Sequence, residues 1–258
     1  MEHITQEPRY GVPWNREELI LAFELYCRIP FQQTKANNPA VKELAALLGR
    51  TPASVARKLG NFGAFDPALQ KLDISGLTHT SKLDREIWDE FRADWNSLVW
   101  EANLLRNKLS QPPLVVQAVK LPSGPSETIR LTKLRVHQAF FRDTVLSSYE
   151  ATCCITGLMV RECLVASHIV PWSEDERFRT DPTNGLCLSA TFDRLFDAGL
   201  MTVTLDLIIR FSSRVMTSQN SVTQDLLSCY HNRPLRKPHR FLPSMERLEW
   251  HRRNRFKE

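Results

Sequence analysis

The sequence of 258 residues predicts an α+β protein in two parts: a helical N-terminal domain over residues 1–108, and a C-terminal domain over residues 129–258 built on two strands and a helix. Three observations lead there. Apolar residues recur at spacings of three and four in several N-terminal segments. The stretch SQPPLVVQAVKLPSGPSET holds four prolines and has no helical period, so residues 109–128 read as a linker. Beyond it, residues 164–204 read in turn as strand, loop, strand, helix and strand.

The N-terminal elements follow from local signals. In PWNREELILAFELYCRI, Asn15 is a helix cap with Glu17 and Glu18 in the first turn, and Leu19, Ala22, Phe23 and Tyr26 form an inward face that ends near Pro30. FQQTKANN is polar and aperiodic and reads as a loop. VKELAALLG and SVARKLGNF are then two short helices, with Gly49 closing the first, Thr51 capping the second and Pro52 at its first position. Two short helices on a tight turn make a helix-turn-helix. In that arrangement the second helix enters the major groove of double-stranded DNA, which directs Thr51, Ser54, Arg57, Lys58 and Asn61 towards it. Residues 65–79 are irregular. LDREIWDEFRADWNSLVWEANLLRNKL reads as one long amphipathic helix.

After the linker, LTKLRVHQAFFRDTVLSSYEATC is a helix with Val136, Phe140, Val145 and Leu146 inward. LVASHIVPW is β-rich around Ser167 and His168 and stops at Pro171. SEDERFRTDP is an exposed loop, and Asn184-Gly185 opens the short strand GLCL. Ser189 caps the helix SATFDRLFDAG, which Gly199 terminates. LMTVTLDLIIRFSS is a hairpin, and a short helix, a Pro-punctuated basic segment and a basic helix complete the chain.

If the two strands pair and the helix crosses them, His168, Asn184, Asp193 and Asp197 face a common place. A neutral imidazole can take a proton from water, and two carboxylates four residues apart on a helix can hold a hard divalent cation. Those are the parts of metal-assisted phosphodiester hydrolysis.

The same residues resemble the HNH nucleases, whose ββα-metal fold is a hairpin followed by a helix. SHIVPW is similar to the family's first His motif and NGLCL to its Asn motif, and Asp193 stands in the place of the third ligand. FRDTVLSSYEATCCITG and RLFDAGLMTV resemble a subgroup of bacterial restriction endonucleases with an N-terminal helical domain. The resemblance implies that His168 is the general base, that Asn184 orients it by hydrogen bonding, and that Asp193 ligates a metal, with Asp197 a further ligand. Ser167 stands where most members carry Asp or His as a ligand. The ion implied is Mg²⁺, with Mn²⁺ and Ni²⁺ as alternatives. The implied function is restriction, or modification-dependent restriction, of double-stranded DNA by a homodimer. The competing reading is a DNA-binding regulator whose HNH-like domain is inactive, for which Ser167 is the argument.

Composition bounds these readings. With 42% hydrophobic and 24% charged residues the chain is ordinary for a protein folded in water. No apolar run reaches membrane-spanning length and MEHITQEPRY lacks the features of a signal peptide, so a cytoplasmic protein without a membrane partner is expected. The six cysteines form no paired framework, and a zinc on Cys154, Cys163 and Cys187 would lack the usual ligand spacing. Of the net charge of +5, the excess lies in residues 231–258, with 9 basic and 3 acidic side chains. Such a tail suits nucleic acid.

Overall fold

The computed structural model describes residues 11–71, 80–110 and 125–258, with backbone alone over 125–130. The linker expected at 109–128 lies mostly outside these residues, as does half of the irregular stretch at 65–79. The chain divides into two compact units, Met1–Phe140 and Phe141–Glu258.

In the first unit, Asn15 opens α1 (Arg16–Arg28) through a capping box: its side chain accepts from the Glu18 N–H, and Glu18 reaches back to the Asn15 N–H. Four further helices pack on α1: α2 (Pro39–Leu48), α3 (Pro52–Gly63), α5 (Lys82–Ala93) and α6 (Trp95–Leu109), with the short α4 (Pro67–Gln70) lying between α3 and α5 in the chain. A helix covered all round must satisfy its own charges. Glu18 therefore pairs with Arg50 at 2.7 Å, and Glu24 pairs with Arg106 at 2.6 Å and with Arg28 at 3.0 Å.

The α2–α3 turn is built as its residues require. Gly49 sits at φ 62°, Thr51 accepts from the Ser54 N–H, and Pro52 takes the first helical position. The long helix expected over residues 83–109 is instead two. Asp94 leaves helical geometry at φ −141°, and its carboxylate accepts the Ser97 N–H at 3.0 Å, so it caps α6 and ends α5. Local capping chemistry overrides an unbroken apolar period there.

Helix α7 (Pro125–Ser148) runs through the division between the units. In the second unit, β1 (Leu164–His168) and β2 (Gly185–Ser189) pair antiparallel with His168 opposite Gly185. Helix α8 (Ala190–Asp197) packs on both strands. The second hairpin, β3 (Met201–Val203) and β4 (Ile209–Phe211), precedes α9 (Ser213–Met216), α10 (Ser221–Ser228) and α11 (Met245–Asn254). The core gathers Phe141, Val145, Leu186, Leu188, Phe192 and Phe196. Ser189 precedes α8 without a side-chain cap, and its N–H donates to Cys153 Sγ at 3.2 Å.

Gly199 ends α8 at φ 70°, and an added Cβ there would stand 2.0 Å from the Arg255 carbonyl oxygen. The obstacle is backbone, which cannot rotate aside. Gly199→Ala is therefore expected to cost at least ~1–3 kcal/mol and to lower the melting temperature by several degrees; an unchanged melting curve would show that the end of α11 does not dock as described.

The basic C-terminal segment is less free than its charge suggests. Arg240 is buried with its guanidinium 3.0 Å from Ser147 Oγ. Arg247 pairs with Asp181, and Arg252 and Arg253 both reach Glu249. Long-range packing has turned Arg240 and Arg247 of the expected phosphate-binding tail into structure, while Arg252 and Arg253 pair within α11 and stay exposed.

Candidate active site

The hairpin end is assembled by α7. Gly185 lies against that helix so closely that a Cβ would meet Val145 Cγ2 at 2.3 Å and Phe141 Cζ at 3.0 Å. Its missing side chain lets Phe141 reach across to the residue opposite Gly185, which is His168. The two rings stack with centroids 3.7 Å apart and planes within 10°. Trp172 meets the imidazole edge-on at 5.5 Å.

His168 Nε2 lies 3.1 Å from the Arg179 carbonyl oxygen. A carbonyl only accepts, so Nε2 carries the proton and Nδ1 keeps its lone pair. Burial pushes the imidazole down to about 4, against the opposing pull of the carbonyl bond. The ring is thus neutral at neutral pH, fixed in one tautomer and clamped by an aromatic face. A neutral ring with a lone pair on Nδ1 can accept a proton, although a base at about 4 is weaker than an unperturbed histidine.

Asn184 is 1% exposed and does not bond to the imidazole. Its Oδ1 accepts the Val170 N–H at 2.9 Å, and its Nδ2 donates to the carbonyls of Val170 at 3.0 Å and Phe178 at 3.3 Å. The Asn184 carbonyl accepts the Ile169 N–H at 2.9 Å. It therefore holds the backbone just past His168, and any orientation of the ring comes through that backbone.

The loop between the strands is correspondingly better fastened than an exposed loop. It contains 3-10 turns at Glu176–Phe178 and Pro182–Asn184. Arg247 of α11 bonds to Asp181 at 2.6 Å and to Thr183 at 2.8 Å, with its guanidinium 3.9 Å over the Phe178 ring. Sequence reasoning missed Phe141, Arg179 and Arg247. Only Phe141 left a signal, since it lies four residues before the inward Val145.

Asp193 and Asp197 lie one turn apart on α8, the first half-buried and the second more exposed. Partial desolvation raises the Asp197 carboxyl, and the charge of Asp193 raises it further. Two carboxylates that repel each other suit a hard cation, which removes that repulsion. Ser167 is buried at 3% exposure, and its Oγ has no hydrogen-bond partner. It adjoins His168 in a regular ladder, where consecutive side chains leave opposite faces, so it does not join the His168 face. A hydroxyl ligand on that face is therefore withdrawn. No group of three or more His, Cys, Asp or Glu arranged to hold a metal occurs among the described residues. The cysteines do not supply one: Cys154 and Cys187 are buried, their thiols raised by desolvation, and Cys163 is exposed.

On α3, Ser54 is half-buried and Arg57 exposed, as a DNA face needs. Lys58 and Asn61 are turned inward. Lys58 Nζ is 2.9 Å from Asp84 Oδ1, and Asn61 Nδ2 is 3.2 Å from Asp84 Oδ2, all three side chains being buried. The expectation that these two meet DNA is corrected, because Asp84 at 0% exposure needs both donors.

A hairpin carrying a clamped, neutral histidine is followed by a helix with paired carboxylates, the order of elements expected of a ββα nuclease. Residues 153–204 match the family model described as HNH endonuclease, and this segment is an HNH domain. Such a domain implies nuclease chemistry on DNA and, in general, a divalent metal. Comparison with curated proteins finds no match. No helix among the described residues is long and apolar enough to cross a membrane.

The half-buried His168 and the buried His251 also contribute to the response of this unit to acid. His251 stacks on Phe196 at 3.7 Å, accepts from Thr202 Oγ1 at Nδ1, and is likewise pushed down to about 4 by burial. Both are near 6.5 when unfolded. Between pH ~6.5 and ~4 the unfolded chain binds more protons, so stability is complete above that window and falls as the pH drops through it. A loss of a few kcal/mol in total is expected on acidification. The check is the urea midpoint at pH 7 and pH 5, with His251→Gln flattening the slope. Equal midpoints in the parent protein would show that these rings are not buried neutral.

Proposed function

We propose that the protein is a metal-dependent DNA endonuclease of the HNH type. The observation that carries this reading is the His168 imidazole, neutral, held in one tautomer and lying inside the segment that matches the family. His168 Nδ1 takes a proton from water, and the resulting hydroxide attacks the scissile phosphorus in line with the departing 3′ oxygen. The products are a 5′-phosphate and a 3′-hydroxyl. When bound, a divalent ion supplies charge neutralisation at the departing oxygen. Asp193 and Asp197 would hold it, with water and phosphate oxygens completing the shell, a donor set that suits Mg²⁺ and admits Mn²⁺ or Ni²⁺. Asn184 keeps the backbone beside His168 fixed, and Phe141 excludes water from one face of the ring.

The test is cleavage of supercoiled plasmid with and without added divalent metal. Metal-dependent nicking or linearisation supports the reading. Tight DNA binding without cutting under any of the three ions would favour a DNA-binding regulator.

For target choice we propose the α2–α3 pair, presenting Arg57 and Ser54. If Arg57 reads a base edge, Arg57→Ala weakens binding of the full chain to its preferred duplex by ~1–3 kcal/mol while leaving non-specific binding nearly unchanged. Gel-shift titrations with specific and random duplexes check this; a uniform loss on both would make Arg57 a phosphate contact. A restriction role follows from the resemblance of the flanking segments to bacterial restriction enzymes.

A further inference from the structure

Beside the His168 loop lies a cavity of about 280 Å³. One wall is the loop itself, through Val170 and Phe178, whose backbones Asn184 holds. The other comes from α11, through Glu246, Arg247 and Trp250. Its volume is below the ~300–1,000 Å³ of drug-sized ligand pockets and suits one planar ring system.

The charges at its lip decide what it can take. Both arginines that line it are already neutralised, Arg247 by Asp181 and Arg177 by Asp175, each at 2.6 Å. Two further lining carboxylates, Glu174 and Glu246, make no side-chain hydrogen bond among the described residues. With three lining carboxylates against two arginines, one of them also bonded to Asp181, a phosphate would meet net negative charge there. A flat, neutral group with N–H donors would meet aromatic walls and free acceptors, and a carboxylate accepts from an exocyclic amino group such as cytosine N4. Phe178 is held rigid by the Arg247 guanidinium over its ring, so this wall is formed before any ligand arrives.

Resting on the nuclease reading, we propose that this cavity receives a single nucleobase turned out of the duplex next to the cleavage centre. A base inside the stack cannot reach such a pocket, so occupancy requires extrusion, whose cost is least for a mismatched base. The HNH unit would then take part in choosing the target by its own base contact.

The experiment uses the full chain without divalent metal and two duplexes that differ only in one central mismatch, with affinities read by fluorescence anisotropy. The mismatched duplex is expected to bind roughly tenfold or more tightly. Trp250→Ala and Glu246→Gln should each bring that ratio towards one, and Trp250→Phe should preserve it. Glu246 is exposed, so its substitution tests the pocket without disturbing the fold. A ratio of one in a protein that cuts plasmid would remove the pocket and leave the nuclease standing, as would a ratio that survives both substitutions. A chain that neither binds nor cuts DNA would remove both.

Discussion

His168→Ala is expected to lose cleavage by on the order of 10²–10⁴ in rate while binding DNA about as well as the parent. The ring contributes one hydrogen bond and one stacking partner to the fold, and no charge to DNA at neutral pH. Its removal therefore deletes the proton acceptor without deleting a phosphate contact. A melting curve accompanies the assay, since Phe141 loses its stacking partner. Full activity of a folded His168→Ala protein would take His168 out of the mechanism. Because the imidazole is pushed down to about 4, the basic form persists through mildly acidic pH, and the acid limb of the rate profile should lie below the usual histidine range.

Asp193→Ala is expected to have the second largest effect, through the metal. Loss of outer-shell partners alone costs about 10–100-fold in metal affinity, and a direct ligand should cost no less. The concentration of divalent ion that half-activates cleavage should rise accordingly, with a smaller rise for the more exposed Asp197. Calorimetric titration of the ion against the protein without DNA gives the same comparison free of catalysis. Superimposable titrations of parent and Asp193→Ala would move the metal elsewhere in the domain.

Several parts of this architecture were legible in advance because they are local. The Asn15, Thr51 and Gly49 caps and the Gly199 stop each depend on a few neighbouring residues whose chemistry admits one backbone conformation. Misreadings arose where a local signal competed with another. The period through residues 83–109 is continuous, yet the Asp94 carboxylate found the Ser97 N–H and broke it. Lys58 and Asn61 have the residue types that nucleic acid recognition uses, and nothing near them in the chain reveals Asp84.

By itself the sequence determined the hairpin-and-helix order, the helical N-terminal half and the HNH character of residues 153–204, since spacing, caps and motif residues are written along the chain. Only the tertiary structure decided how His168 is held. Phe141 comes from α7, the accepting carbonyl from Arg179, and the Arg247 brace of the loop from α11. Distant contacts of the same kind depress the imidazole by desolvation and engage Arg240 and Arg247 of the basic C-terminal segment. Burial and tautomer are set by what surrounds a group in space, and residues dozens of positions apart meet there only once the core has closed.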